Sequence, residues 1–246
     1  MVQKTKKDTG YQVYLKQIEA LSKVADLIAS GMYVDELLRL IVRVTAEVMN
    51  SKISSLMILD PETKMLTIKA TQSVSEAYNK KPSLKLGEGI AGLAAKEQKP
   101  IVVVDLQKDP RYLNQDIARA EGLVSLASVP LSVKGRVIGV LNCYTSRKHV
   151  FTKPEINVLT SLATQAALAI ENAELAMRAS SAEDALYTRK LVERAKEILA
   201  RDANIPPEES YRLIRKQSMD SRKSMRDIAE AIILSHDIKT KGDTAR

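Results

Sequence analysis

The chain has 246 residues, 45% of them hydrophobic and 28% charged, with nine glycines, eight prolines and a formal net charge of +8; it can bury a sizeable core and is neither disordered nor collagen-like, and its length suits one ordinary domain plus a smaller one. One cysteine and two histidines exclude a His/Cys zinc cluster, a disulfide and a CxxC redox pair, and one phenylalanine with no tryptophan disfavours an aromatic stacking platform as the main binding device. The start MVQKTKKDTGYQVYLKQ lacks the apolar core of a signal peptide and no stretch is apolar for the length of a membrane span, so a reducing cytoplasmic home with no membrane is expected.

A basic segment, residues 1–16, precedes a first helix expected from about Tyr11 to Ala29, with Leu15, Ile18, Leu21, Val24, Ala25 and Ile28 at three- and four-residue spacing and Gly31 ending it. A second helix lies between Val34 and Met49, where Leu37, Leu38, Ile41, Val42, Val44, Thr45 and Val48 form a wide stripe suited to a sheet. Five candidate strands follow: 53–60, 65–72, 100–105, 123–133 and 136–146. PETK and VKGR read as hairpin turns, the second with Gly135 free to take a positive φ. Strands joined this tightly are antiparallel, so the region is α+β.

After Phe151 the pattern becomes helical. Residues 155–205 contain no Gly or Pro and are rich in Ala, Leu, Glu, Lys and Arg, all good helix formers. A helix to Arg201 would be ~70 Å long at about 1.5 Å per residue. Its apolar positions Ile156, Leu159, Leu162, Ala163, Ala166, Ile170, Ala173 and Met177 leave more than one heptad register open, with Ser180 and Ser181 interrupting the seam of any coiled-coil dimer stalk. Shorter helices are expected over 207–219, with Pro207 in the first turn, and over about 222–236. The tail beyond reads as frayed. Charge concentrates here: residues 189–226 hold 11 Lys/Arg against six Asp/Glu, a distribution that a polyanion could use.

GEGIAG, with Gly87, Gly89 and Gly92, fits GxGxxG by letter, but the preceding SLKL is short and polar and the surroundings are antiparallel. A structural turn into a short helix is therefore expected rather than a dinucleotide site. His149 falls on a surface turn, Cys143 inside the apolar run VIGVLNCY, and Asp105, Asp109, Asp116 and Glu121 in a loop region. None of these specifies a reaction, and no catalytic residue or metal ligand is assigned.

The series GEGIAGLAAKEQKPIVVVDLQKDPRY, LVSLASVPLSVKGRVIGVLNCYTS and FTKPEINVLTSLATQAALAIENAEL resembles the GAF domain family over residues 17–176. The resemblance implies a six-stranded antiparallel sheet, with the first, second and terminal helices on one face and a loop-and-helix layer on the other. It also implies dimerisation through those helices and a small ligand between sheet and loop layer. Asn79 and Lys80 occur where cyclic-nucleotide GAF domains carry an N-K-x-F-x-x-x-D-E signature, but no Phe and DE follow. A bilin would need a loop-layer cysteine, and GAF-like methionine sulfoxide reductases use several; Cys143 serves neither. The ligand is therefore unassigned and no cofactor is identified.

Farther on, RKLVERAKEIL (189–199), IPPEESYRLIRKQSM (205–219) and SMRDIAEAII (224–233) resemble the ANTAR domain, the three-helix RNA-binding module of bacterial transcription antiterminators, over residues 184–236. Residues 177–184 would link it to the sensor as a helical stalk, and 237–246 would be a flexible tail. Glu197, Ser210 and Ala200 stand where the family usually has Gly, Ala and Met. Periodicity gives three amphipathic faces: Leu191, Val192, Ala195, Ile198 and Leu199; Tyr211, Leu213, Ile214 and Ser218; Met225, Ile228, Ala229, Ile232 and Ile233. Arg189 and Lys196, seven residues apart, share one side of their helix. Together with Arg212, Arg215, Lys216, Ser218, Arg222 and Lys223 they are the expected RNA-binding residues.

The expectation is a non-enzymatic, cytoplasmic, homodimeric regulator, its GAF domain sensing a small ligand or an upstream signalling partner and its ANTAR domain binding RNA hairpin loops in leader transcripts. The alternatives are a GAF-linked DNA-binding regulator, with duplex preference and half-site spacing, and a GAF enzyme or scaffold without nucleic acid.

Overall fold

The computed structural model describes residues 34–243, with side chains in the last helix as far as Ile238. The expected first helix and the basic segment 1–16 lie outside the described residues. The described residues divide into two compact units, with the boundary between Ala173 and Glu174.

In the first unit, helix α1 (Val34–Met49) opens with Asp35 and Glu36 in its first turn, favourable at the positive end of the helix dipole. Strands β1 (Ile53–Leu59) and β2 (Met65–Thr71) form a hairpin. Its turn is held by Asp60, whose carboxylate accepts from the Glu62 and Thr63 amides and the Thr63 hydroxyl. Next come helix α2 (Glu76–Asn79), strand β3 (Leu84–Lys85), helix α3 (Gly89–Glu97), strand β4 (Ile101–Val103) and helix α4 (Gln115–Ala120). Strands β5 (Ser125–Val133) and β6 (Arg136–Thr145) make the second hairpin, with Lys134 at φ 50° and Gly135 at φ 76°. Two consecutive positive φ angles are the hairpin turn whose twist matches the strands.

The six strands form one antiparallel sheet in the order β3-β2-β1-β6-β5-β4. The strand missing from the residue-by-residue reading is β3, the polar SLKL segment. It has two residues at the sheet edge, too short to show alternation. On one sheet face α1 and the start of helix α5 (Lys153–Asp202) bury Leu38, Ile41, Leu56, Val129, Leu141, Leu159, Leu162 and Ala166 in a common core. On the other, the segment from α2 to α4 covers Ile53, Leu126 and Tyr144.

Helix α5 starts at a capping box: the Thr152 amide and hydroxyl donate to the Glu155 carboxylate at 2.7 and 2.8 Å. It then runs unbroken for 50 residues, through Ser180 and Ser181. Leu159, Leu162, Ala163, Ala166 and Ile170 are core residues of the first unit, so they are unavailable to a coiled-coil seam. Leu168, Leu175, Met177, Leu186 and Tyr187 are the large apolar side chains that α5 exposes.

The second unit packs the end of α5 against helices α6 (Pro207–Ser221) and α7 (Met225–Asp243) around Val192, Ala195, Ile198, Ile214, Ile228, Ala229 and Ile233. Two expectations change. The last helix continues seven residues past His236, through part of the expected tail. Its start is Met225 because Ser224 and Asp227 form a second reciprocal cap. Tyr211 and Leu213, expected in the core, are 42% and 46% exposed; the buried positions of α6 are Ser210 and Ile214. Ser210 occupies the place of the family's small residue and donates its hydroxyl to the Pro206 carbonyl at 3.2 Å.

Candidate functional site

Two regions of the molecule carry chemistry, one in each unit. In the second unit, Arg189, Arg212, Arg215, Lys216, Arg222 and Lys223 are exposed, and Lys196 is half-buried. Arg189 lines a groove of about 570 Å³ with Val192, Glu193, Tyr211 and Met225. Arg215 lies one turn from Tyr211 on α6, and Arg212 one turn from Lys216. Lys196 is held by Glu193 at 2.5 Å, not by its neighbour Glu197. An acid between Arg189 and Lys196 lowers the local positive potential.

Ser218 donates its hydroxyl to the Lys223 carbonyl at 2.6 Å, bracing the turn that ends α6. Arg222 closes that turn at φ 55°, a conformation that costs an L-residue about 1 kcal/mol and that glycine takes freely. Arg226 is occupied locally: it pairs with Glu230 at 2.9 Å and its guanidinium lies 4.8 Å from the Tyr187 ring centroid. Spacing alone hid Tyr211, because its position one residue after the buried Ser210 is within the angular range of the apolar stripe.

In the first unit, a cavity of about 20 Å³ lies between the sheet and the loop layer. Tyr78 on α2, Tyr112 before α4 and Tyr144 on β6 meet there, with edge-on ring pairs at centroid distances of 5.8 and 6.4 Å. The Lys81 Nζ sits 3.8, 5.6 and 5.0 Å from the Tyr78, Tyr112 and Tyr144 ring centroids and donates to the Tyr112 hydroxyl at 3.0 Å. Burial pushes the Lys81 ammonium down to about 7, opposed by the charge of Glu121. Burial likewise drives all three phenols well above their usual value, so they are neutral. Ser55 shares a hydrogen bond with the Tyr78 hydroxyl at 2.8 Å. Across the sheet, Ser128 donates to the buried Asn142 amide oxygen at 2.6 Å.

The other residues singled out in the sequence have structural roles here. Gly87 and Gly89 take positive φ in the turn before α3, and a Cβ on Gly92 would stand 2.5 Å from the Lys85 carbonyl oxygen. Asn79 donates to the Ser73 carbonyl and Lys80 pairs with Glu76. Lys81, one residue beyond, is the one in the cavity. Asp105 pairs with Lys148, Asp109 with Arg111, Asp116 with Arg119, and Ser75 donates to Glu121. His149 is half-buried rather than on a bare surface turn, stacked edge-on against Phe151 and 3.0 Å from Glu155. Cys143 is buried, its thiol pushed up to about 12 by desolvation, which leaves it inert as a nucleophile at neutral pH.

Residues 32–171 match the family model of the GAF domain and residues 180–233 that of the ANTAR domain. A methyl sulfide methyltransferase-associated sensor of Methanosarcina acetivorans is 29% identical over 172 residues, which cover 68% of this chain and 17% of that protein. A Nif-specific regulatory protein of Azotobacter vinelandii is 28% identical over 143 residues, 56% of this chain and 27% of that protein. The curated relatives are thus much longer proteins, of which the chain spans 17% to 27%. Among solved structures, the GAF domain of a phosphoenolpyruvate-protein phosphotransferase from Coxiella burnetii superposes with a TM-score of 0.60 at 24% identity, covering 68% of this chain and 98% of that one. A sensor domain followed by an output domain is the architecture of a signal-responsive regulator. The chain belongs to the GAF domain family and carries an ANTAR domain after its GAF domain.

Proposed function

We propose that the protein is a non-enzymatic transcription antiterminator of the cytoplasm, a homodimer that binds hairpin loops in leader RNA and is controlled by a small ligand or a partner at its GAF domain. The sensor spans 17–176, the ANTAR unit 184–236, and α5 joins them. What carries the reading is the exposure of Arg189, Arg212, Arg215, Lys216, Arg222 and Lys223 around a three-helix unit of the ANTAR family. Tyr211 joins this group: an exposed ring beside Arg189 offers a face on which an unpaired loop base stacks. Phosphate contacts from the basic residues set affinity, and hydrogen bonds to splayed loop bases set specificity. The exposed apolar side chains of α5 supply a surface for the second protomer.

The test is binding of hairpin RNA and of duplex DNA to the full chain at rising salt. RNA affinity is expected to fall steeply with salt, to exceed duplex affinity, and to drop in Arg215→Ala and Lys196→Ala while both variants keep wild-type melting. Equal binding by both variants places the RNA face elsewhere. Preference for duplex DNA with spaced half-sites replaces the RNA reading with a DNA-binding one.

A further inference from the structure

Three tyrosines drawn from separate segments converge on one lysine amino group. Lys81 Nζ lies within 6 Å of the Tyr78, Tyr112 and Tyr144 ring centroids, the range over which the negative face of an aromatic ring attracts a cation. Among the described residues no acidic side chain lines this cavity, and Glu121 acts on Lys81 through its charge. The rings thus form an aromatic cage with the chain's own lysine inside. Beside the lysine the remaining space, about 20 Å³, admits no more than a water-sized group. A larger ligand needs Lys81 to leave.

The geometry points to a binding site for a small organic ammonium, a primary or methylated amine of a few carbons, that displaces Lys81 from the cage of Tyr78, Tyr112 and Tyr144. The inference deepens the reading that the GAF domain takes a small ligand, and rests on it. An anion is the opposite case: the ring faces repel it, and it would depend on the Lys81 charge staying in place. An amine meets the faces that Lys81 now meets. Lys81 is half-buried and sits in the loop between α2 and β3, so its four-carbon side chain has a route to solvent, where its charge is hydrated. The resident lysine is therefore a built-in competitor that keeps the site closed until the amine concentration is high enough.

Calorimetric titration of the full chain with three isosteric probes tests this: n-propylammonium, n-propanol and propionate. In Lys81→Ala, which vacates a space shaped for an alkylammonium, n-propylammonium is expected to bind at least tenfold tighter than to wild type, and at least tenfold tighter than n-propanol. Tyr78→Phe in the Lys81→Ala background keeps the ring face and is expected to retain the binding; Tyr78→Leu is expected to lose it. Should Lys81→Ala denature at lower temperature, Lys81→Ser, which also vacates the space and removes the charge, is expected to show the same gain. Propionate binding to wild type that disappears in Lys81→Ala overturns the ammonium assignment and keeps ligand sensing. Failure of every probe on folded Lys81→Ala and Lys81→Ser overturns the cage as a site. Amine binding that leaves hairpin-RNA affinity unchanged keeps the site and removes the regulatory reading beneath it.

Discussion

At the scale of single residues, the two positions with the sharpest consequences are strained by their surroundings rather than by their own chemistry. Lys81 is protonated at neutral pH in the unfolded chain, but burial brings it down to about 7 in the folded one. Between pH 7 and the ordinary lysine range the unfolded state therefore holds the extra proton, and stability rises with pH through that window. The raised tyrosines act in the opposite sense only above about pH 10, where the unfolded phenols ionise first. Chemical denaturation between pH 7 and 9 is expected to show a gain of up to about 2 kcal/mol in wild type and a flatter profile in Lys81→Met; parallel profiles would remove the buried lysine as the cause. Arg222 makes the second case, since its charge faces solvent while its backbone takes a glycine conformation. Arg222→Gly is expected to stabilise the ANTAR unit by about 1 kcal/mol and to weaken hairpin-RNA binding. Tighter RNA binding in that variant would show that Arg222 makes no phosphate contact.

Among the elements, helix ends and close approaches carry the specificity. Helix α5 depends on Thr152 and Glu155 for its first turn, and Thr152→Ala is expected to cost about 1 kcal/mol, read from the melting of the sensor unit. The turn before α3 is tighter. Gly92 packs against the Lys85 carbonyl at the β3 edge, so Gly92→Ala forces backbone to move and is expected to cost about 1–3 kcal/mol. Because that turn borders the Lys81 cavity through Gly89 and Ile90, the same variant is expected to alter probe binding there; an unchanged melting temperature would mean the turn yields freely. The GxGxxG spelling of this segment thus matches positive φ at Gly87 and Gly89 and backbone crowding at Gly92.

For the whole molecule, the consequential feature is that one helix belongs to both units. Helix α5 begins in the sensor core and ends in the ANTAR core without a break at Ser180 and Ser181. A ligand influences RNA affinity only if it binds two arrangements of the protein differently, and a continuous helix is the physical link through which such a difference passes. Inserting four residues after Ser181 turns everything beyond by about 400°, whereas seven nearly preserves the facing at ~100° per residue. Four-residue insertions are accordingly expected to change ligand-dependent RNA binding and seven-residue insertions to preserve it, with the separate segment 178–246 retaining measurable RNA affinity. Identical behaviour of both insertions would make α5 a passive tether.

The sequence by itself determined the elements whose signals are local. Alternation and turn chemistry located β1, β2, β5 and β6, with Lys134 and Gly135 at the hairpin. The absence of Gly and Pro after Glu155 marked α5, and motif spacing marked the GAF and ANTAR domains. It could not show β3, whose two residues form a strand only because β2 offers an edge. Nor could it orient α6, since an apolar stripe is wider than the contact it makes: Tyr211 and Leu213 fall within the stripe's range, yet the neighbouring helices cover Ser210 and Ile214. The charge of the ANTAR unit was legible as a sum, but its partners were not. Glu193 rather than Glu197 holds Lys196, because rotamers and helix packing choose between carboxylates that sequence distance leaves equivalent. The Lys81 cage lies furthest from what a sequence can show. Its rings stand at 78, 112 and 144, each unremarkable in its own segment, and only the closure of the loop layer over the sheet brings three aromatic faces to one lysine.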